Sequence, residues 1–204
     1  MPDAPRDSAA SRAREGLPPV RTKPVVEQDE YPPSEDTFFL ADYIGRAPKG
    51  LMALDVGSGS GYITRLLRDS FEFVVGTDIN CRVLQNQSGA YRTENLVCCS
   101  GSDAIRAEFD LAVCNPPYLA TDSVTFESTD GGPGGLEVPA RILDSVCRSV
   151  RPGGRFAIVT TTLSDYDGLM RHAMMAGFGD ARIVARKKLF FEELLLVECS
   201  AAGA

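Results

Sequence analysis

An asparagine, two prolines and a tyrosine directly follow an apolar run in "LAVCNPPYL". Proline lacks a backbone donor and holds the residue before it in an extended conformation, so this stretch ends a strand in a rigid loop. One interpretation is a stiff turn that leaves a sheet. The other is a preorganised site in which Asn115 and Tyr118 face a substrate. The tetrapeptide alone is compatible with both interpretations.

A glycine-rich loop in "LDVGSGSGY" places Gly57, Gly59 and Gly61 after another apolar run and before a helix-like stretch. Glycine allows tight turns and a close approach of a ligand to the backbone. In an open α/β sheet, ligands bind in such crevices beyond the carboxyl ends of the strands. The dinucleotide pattern would need glycine at position 62, which is Tyr62, and no Gly-Lys-Ser/Thr follows. Neither the dinucleotide pattern nor a P-loop is therefore present.

Two acidic residues follow the next strand-like runs. Asp78 ends "FEFVVGTD", and a carboxylate there can accept both hydroxyls of a ribose. Asp103 follows a short third run, in "CSGSDAI", and we expect it to reach an adenine amino group. Each acid alone could be a solvated loop residue or a helix cap, but three such loops at one sheet edge favour a ligand site.

Strand-like and helix-like stretches alternate along most of the chain. Helical spacing is found in "TFFLADYI", "YITRLLRD", "CRVLQNQSGAYR", "LEVPARILDSVCRSV" and "DYDGLMRHAMMAGF", with "LMALDV", "FEFVVGTDI", "LVCC", "FDLAVCN" and "RFAIVT" as strands between them. This alternation predicts a mostly parallel α/β sheet with helices on both faces. The last two runs, "ARIVARKKLF" and "EELLLVECS", lack a helix between them and predict an antiparallel strand.

The composition indicates one globular domain. The chain has 204 residues, 44% of them hydrophobic, and a formal charge of −7, which disfavours broad contact with phosphate backbones. No apolar run approaches the roughly 18 residues of a membrane span, so we expect a cytoplasmic protein. Residues 1–24, rich in Ala, Arg, Pro and Ser, predict a flexible tail ahead of a domain at residues 25–204.

The cysteines show no C-x-x-C pair, and most lie in apolar runs. We therefore expect reduced thiols in the core, and no zinc site built by this chain alone. The six are Cys81, Cys98, Cys99, Cys114, Cys147 and Cys199.

Taken together, the glycine loop, the acids after strands two and three, and the N-P-P-Y after strand four resemble class I S-adenosylmethionine-dependent methyltransferases. The resemblance covers nearly everything from Val25 to Ser200. It implies a Rossmann-like sheet of seven strands, order 3-2-1-4-5-7-6 with strand seven antiparallel, and S-adenosyl-L-methionine as cofactor. The cofactor-binding residues that it implies are Thr37, Asp55, Gly57, Gly59, Gly61, Asp78, Ile79, Asp103, Ala104 and Asn115.

In that family, N-P-P-Y marks enzymes that methylate a nitrogen conjugated to a π system. Such a nitrogen is neutral but its lone pair is delocalised, so correct placement helps more than a strong base. The resemblance implies that the side-chain oxygen of Asn115 and the carbonyl of Pro116 accept the N–H groups of the substrate. Tyr118 would stack on the planar group, and Pro117 would help to hold the acceptors in place. Asn115, Pro116 and Tyr118 are thus the expected catalytic residues.

Two further stretches, "YPPSEDTFFL" and "DGGPGGLEV", resemble elements of the HemK group of release-factor glutamine methyltransferases. Bacterial members carry a helical domain ahead of the core, where this chain has only about 30 residues. The short archaeal and eukaryotic branch is the better match. That branch methylates the glutamine of the Gly-Gly-Gln motif in class 1 release factors and works with a small zinc-binding activator subunit.

The implied heterodimer has a candidate contact in the run Leu96–Cys99. This third strand would be an edge strand, apolar and nearly uncharged, and exposed edges of that kind invite pairing with another chain. Cover by a loop or by the N-terminal tail is the competing explanation.

Other functions remain open from the sequence. An N6-adenine or N2-guanine methyltransferase of RNA or DNA uses the same tetrapeptide, and a basic cluster could dock RNA or a release factor. Methylation of another protein side chain such as lysine would require an ammonium group to lose its proton first. A non-catalytic subunit that keeps the fold only to bind a partner is a further alternative. The basic cluster comprises Arg182, Arg186, Lys187 and Lys188.

Overall fold

Seven strands build one mixed sheet in the computed structural model, which describes residues 32–87, 95–126 and 128–203. The predicted tail (residues 1–24) and the first residues of the predicted domain (25–31) lie outside these ranges. The strands of the described ranges are β1 (Gly50–Val56), β2 (Phe71–Asp78), β3 (Leu96–Cys98), β4 (Phe109–Cys114), β5 (Leu119–Ala120), β6 (Asp130–Gly132), β7 (Val150–Thr161), β8 (Phe178–Lys188) and β9 (Glu193–Ala201).

The order across the main sheet is β3-β2-β1-β4-β7-β9-β8, and β5 and β6 pair separately. Strand β9 runs antiparallel to both of its neighbours, whereas the β1, β2, β3, β4 and β7 pairings are parallel. Counted along the chain without the small β5–β6 pair, this is the order 3-2-1-4-5-7-6. The predicted α/β class and the antiparallel seventh strand are confirmed.

Helices cover both faces of the sheet, which is why β1 and β4 are mostly apolar, each with a single charged residue, Asp55 and Asp110. The helices of the described ranges are α1 (Glu35–Ile44), α2 (Tyr62–Leu67), α3 (Cys81–Asn86), α4 (Glu137–Val146) and α5 (Tyr166–Ala176). None of them is long and apolar enough to cross a bilayer. Helices α1 and α2 pack on one face, where Ala53 joins their core, and α4 and α5 pack on the other, where Leu54 joins theirs.

Three neighbouring strands end together at one edge of the sheet. The parallel pairing aligns Val56, the last residue of β1, with Thr77 in β2 and with Cys114, the last residue of β4. The segments that begin at Gly57 and Asn115 therefore emerge side by side. The glycine loop and the Asn-Pro-Pro-Tyr motif therefore both lie at this carboxyl edge, where ligands of open α/β sheets bind.

The expectation that all six cysteines are reduced core thiols is wrong for two of them. Cys81 and Cys98 form a disulfide, with their Cα atoms 5.3 Å apart. Cys81 begins α3 and Cys98 ends β3, and the β2–β3 register that pairs Asp78 with Cys98 brings the two cysteines together. Both are exposed because β3 is the outermost strand of the described sheet.

Breaking this bridge by reduction is expected to lower the free energy of unfolding of the oxidised protein. The bridge closes a loop with a sequence separation of 17 residues, and a loop of that size corresponds to about 3 kcal/mol. Urea unfolding with and without reductant measures the difference.

Cys98→Ser should abolish the effect of reductant, whereas Cys99→Ser, one residue further on and outside the bridge, should retain it. Non-reducing mass spectrometry that finds no peptide pair joined through Cys81 and Cys98 would contradict the assignment.

Candidate active site

A cleft of about 200 Å³ opens at the carboxyl edge, between the start of α1, the loop after β1 and the loop after β4. It gathers residues from parts of the chain about 80 positions apart. Gly61, Asp78, Ile79, Asp103 and Ala104 do not line it. The predicted site residues that do line it are Thr37, Asp55, Gly57, Gly59, Asn115, Pro116, Pro117 and Tyr118.

The glycine loop is held in a shape that leaves its backbone open to the cleft. Gly57 and Gly59 have φ of 72° and 47°, a region that favours glycine. The backbone N–H of Gly57 donates to the Thr77 carbonyl at 2.8 Å, and Gln87 donates to the Gly59 carbonyl at 2.9 Å. A Cβ at Gly57 would meet no atom within 4 Å. Gly61 is buried and begins α2, so its part is to shape the loop.

Asp78 lies at the end of β2, beside the glycine loop. Its Oδ2 accepts from the Gly59 N–H at 3.0 Å and its Oδ1 accepts from the Asn80 N–H at 2.9 Å. The carboxylate is half-buried, and the next residue, Ile79, is 63% exposed. Asp78 is thus fixed in orientation next to the glycine loop, at the position where the sequence predicts a carboxylate that binds a ribose.

Asp103 does not line the cleft. Its Oδ1 accepts from the hydroxyl of Ser145, in α4, at 2.8 Å and from the guanidinium of Arg148, just after α4, at 3.2 Å. Ala104 is exposed beside it. The structure does not bring Asp103 or Ala104 to the cleft, so their role in cofactor binding stays a prediction.

Asp55, the penultimate residue of β1, is buried in the floor of the cleft. Its Oδ2 accepts from the Thr64 hydroxyl at 2.6 Å. Burial raises the pKa of Asp55 to about 7, against the effect of the Thr64 hydrogen bond, and the charge of Asp78 adds to the rise. A cationic ligand group close to Asp55 would favour its ionised form.

Asn115 presents an acceptor atom with no partner. Its Oδ1 is buried, and no donor in the described part of the chain reaches it. Buried polar atoms are nearly always hydrogen-bonded, so an orphan of this kind requires an explanation. Because Asn115 lines the cleft, a donor on a bound ligand provides one.

Asp36 is a site residue that sequence reasoning missed. It is 5% exposed, and its Oδ2 accepts from the Tyr118 hydroxyl at 3.0 Å. Its Oδ1 accepts from the Ser34 hydroxyl and the Thr37 N–H, each at 2.7 Å. Burial opposes ionisation, but hydrogen bonds from Ser34, Asn115, Thr37 and Tyr118 outweigh it and lower the pKa of Asp36.

The glycine-rich stretch after N-P-P-Y packs against the back of Tyr118. The Ser164 hydroxyl donates to the Tyr118 carbonyl at 2.6 Å. A Cβ at Gly135 would lie 2.2 Å from that same carbonyl oxygen, and one at Gly131 would lie 2.9 Å from the Tyr118 carbonyl carbon. Only glycine allows this approach, so the stretch fixes the loop that carries Asn115 and Tyr118.

Residues 54–158 match a protein family described as "Methyltransferase domain", over more than half of the chain. The chain belongs to this methyltransferase family.

Individual relatives of the methyltransferase indicate which group within this family it resembles. Methyltransferase HEMK2 of Homo sapiens is 26% identical over 78% of this chain and 84% of its own length. A release factor glutamine methyltransferase of Bradyrhizobium diazoefficiens is 30% identical over 51% of this chain, which spans only 41% of that protein. These matches confirm the resemblance to the HemK group of class I S-adenosylmethionine-dependent methyltransferases.

A solved structure supports the same grouping. A chain of the E. cuniculi Mtq2–Trm112 complex is 30% identical, with a TM-score of 0.73, over 85% of the methyltransferase and 99% of that chain. The complex is described as responsible for methylation of the eRF1 translation termination factor.

Asp55 should make the stability of the ligand-free methyltransferase depend on pH. The folded state keeps the proton up to a pKa of about 7, whereas the unfolded chain releases it near the ordinary value of 3.8. The contribution of Asp55 to the free energy of unfolding is therefore full below about pH 4, falls as the pH rises to 7 and is lost above it. The total loss is on the order of a few kcal/mol.

Urea unfolding of wild type and Asp55→Asn at several pH values between 5 and 8 isolates this contribution, since other titrating groups are common to both. A stability difference between the two proteins that does not change with pH would contradict the raised pKa.

Asp36→Asn is expected to lower turnover by at least about 10-fold while cofactor affinity stays within about twofold. The variant keeps the size of the side chain, but its new NH₂ group can only donate, so the side chain loses acceptor positions that Tyr118 and Asn115 need. Steady-state methyl transfer and calorimetry measure the two quantities.

Asp42→Asn, an exposed acid on the same helix, is the matched control and should behave as wild type. Equal turnover of Asp36→Asn and wild type at unchanged thermal stability would show that Asp36 does not position the site.

Proposed function

We propose that this methyltransferase transfers a methyl group from S-adenosyl-L-methionine to the side-chain nitrogen of the glutamine in the Gly-Gly-Gln motif of a class 1 translation release factor. The observation that carries the proposal is the buried, partnerless Oδ1 of Asn115 in the wall of the cleft. An acceptor of this kind suits a neutral N–H group. The names of the similar proteins supply the substrate class.

The residues of the site fit the cofactor. S-adenosyl-L-methionine combines a ribose, an adenine, an ammonium group and a sulfonium, and when bound it supplies an electrophilic methyl group. Asp78 would hold the ribose hydroxyls, and the open backbone at Gly57 and Gly59 would accommodate the ligand. Thr37 and Asp55 would lie at the methionine end, where the buried carboxyl of Asp55 suits a cation.

The chemistry of the proposed step depends on orientation. Asn115 Oδ1 and the Pro116 carbonyl would each accept one N–H of the glutamine amide, which would turn the nitrogen lone pair toward the methyl group, with Tyr118 against the amide plane. The methylated nitrogen would then release one of its two protons to solvent. Orientation of bound reactants can supply ~7–11 kcal/mol, compared with ~3–5 kcal/mol for a general base. Asn115 has no basicity at neutral pH, so its contribution is placement.

Nucleic acid is the second candidate substrate and has less support. Three members of the basic cluster are already paired: Arg182 with Glu198 at 3.0 Å, Arg186 with Glu193 at 3.2 Å, and Lys187 with Glu35. Phosphate contacts need unpaired cations, and the chain carries a net charge of −7. A protein substrate fits this surface better.

We also propose a heterodimer with a small activator subunit of the zinc-binding type. The E. cuniculi relative was solved in complex with Trm112. In this chain β3 is the outermost strand of the described sheet, with β2 as its partner. Its outer side could pair with a strand of the activator.

Asn115→Ala and Asp78→Ala should separate the two halves of the site. Asn115→Ala should keep cofactor affinity within about twofold and lower kcat by at least about 100-fold, because the amide loses its positioning contact. Asp78→Ala should weaken cofactor binding by at least about 10-fold, because a charged acceptor is lost. Calorimetry gives the affinities, and transfer from labelled S-adenosylmethionine to purified release factor gives the rates.

The acceptors in this assay are class 1 release factor, bulk RNA and bulk DNA, each with and without the activator subunit. Mass spectrometry should place the label on the Gly-Gly-Gln glutamine. Label on nucleic acid alone would overturn the substrate assignment, and near-normal activity of Asn115→Ala would overturn the role of that residue.

A further inference from the structure

We propose that the tip of the β8–β9 hairpin, Phe190 and Phe191, is a docking surface for the protein that carries the acceptor glutamine. This inference rests on the proposed function and adds a second contact, outside the cleft, between the enzyme and the release factor. We call these two residues the aromatic tip.

The aromatic tip is the most exposed apolar feature of the described chain. Phe190 is 89% exposed and Phe191 is 85% exposed, and their rings meet edge to face with centroids 4.5 Å apart. Single apolar side chains on a surface are common, but adjacent large ones that touch each other indicate a contact site. The two rings therefore form one exposed apolar protrusion.

The turn itself does not require phenylalanine. A hydrogen bond from the Leu189 N–H to the Glu192 carbonyl, 2.8 Å long, closes the tip, and Leu189 packs against the core. Tight hairpin turns favour glycine, asparagine and aspartate at their central positions. Two large apolar side chains at these positions gain nothing from the fold, so their explanation lies outside the chain.

The aromatic tip lies at the same edge of the sheet as the cleft. Strand β9 runs antiparallel to β7 and to β8, and its second residue, Leu194, pairs with Thr161, the last residue of β7. Strand β9 therefore begins, and β8 ends, at the carboxyl edge. Lys187 forms an ion pair with Glu35, the neighbour of Asp36. The hairpin is thus joined to the helix whose first turn lines the cleft.

The base of the hairpin is fixed rather than free. The Thr161 hydroxyl donates to the Glu192 carboxylate. The Glu193 N–H donates to the Thr162 hydroxyl and the Thr162 N–H donates to the Glu193 carbonyl, each at 3.0 Å. Leu163, which follows Thr162, is 64% exposed, and the hydroxyl of the following residue, Ser164, donates to the Tyr118 carbonyl. Residues 161–164 therefore join the hairpin to the Asn-Pro-Pro-Tyr loop, and they carry one exposed apolar side chain, Leu163.

A protein substrate explains this arrangement better than the other occupants. The Asn115 Oδ1 is buried within the cleft, so a folded substrate must insert a side chain to reach it and rest its surrounding surface on the rim. Apolar rings suit a protein surface, and Arg186 and Lys187 beside them are already paired with Glu193 and Glu35. The hairpin is joined to this rim by the ion pair of Lys187 with Glu35 and by the hydrogen bonds of residues 161–164.

The double variant Phe190→Ser/Phe191→Ser tests the inference. We expect its KM for intact release factor to rise at least about 10-fold, with the Kd from calorimetry rising in parallel. Its kcat at saturating substrate and its affinity for S-adenosyl-L-methionine should stay within about twofold. Phe190→Leu/Phe191→Leu, which keeps apolar side chains, should recover most of the affinity.

Met175→Ser is the matched control. Met175 is 83% exposed but lies at the end of α5, just before β8 starts at the opposite edge of the sheet. Its KM and Kd for release factor should equal those of wild type. Because all three substituted side chains project into solvent, thermal unfolding should be unchanged in every variant.

Each result bears on the proposal. An unchanged KM and Kd in the serine double variant overturn the docking role while leaving the proposed function intact. Sedimentation could show that the wild type is a dimer and the serine double variant a monomer, with release-factor binding unchanged. That result assigns the tip to contact with a second copy and overturns the docking role. A serine double variant that loses only RNA binding also overturns the docking role. Wild type that neither binds nor methylates release factor overturns both the docking role and the proposed function.

Discussion

A buried carboxylate ties the candidate site to the fold. Asp36 is almost inaccessible to water, and burial of an ionised group is unfavourable unless hydrogen bonds replace its hydration. One of its oxygens accepts from Ser34 and Thr37 at the start of α1, and the other accepts from Tyr118 in the loop after β4. Since neither segment alone satisfies the carboxylate, α1 and the Asn-Pro-Pro-Tyr loop hold each other in place.

The same carboxylate defines which atom of Asn115 faces the substrate. An ionised Asp36 can only accept hydrogen bonds, so the NH₂ end of the Asn115 carboxamide turns toward it. The oxygen end is then left without a partner inside the cleft. This polarity favours a ligand that offers a hydrogen-bond donor, as the proposed amide nitrogen does, and it disfavours an acceptor at the same position. In the proposed function, the preference for a nitrogen that carries hydrogen would thus follow from the charge of Asp36, which does not touch the substrate.

Local sequence patterns predicted the motifs but not the contacts between them. The glycine loop and Asn115 could be placed because each directly follows an apolar strand, and the order of the strands followed from the family resemblance. The role of Asp36 could not be predicted, since Tyr118 is 82 positions away. The disulfide between Cys81 and Cys98 was missed for a related reason. It depends on the register of two parallel strands, which spacing along the chain does not encode.

The two proposed protein-binding surfaces lie at opposite ends of the sheet. Strand β3 is outermost at one end and β8 at the other, with β1 and β4 between them. An activator paired with β3 would lie on the side of Asp78, whereas a substrate held by the aromatic tip would lie on the side of α1 and the hairpin. The cleft opens between these surfaces, so the two proteins would not compete for the same edge. An activator bound at β3 would therefore affect the substrate chiefly through the cofactor-side loops, and the aromatic tip would set the affinity for the substrate independently.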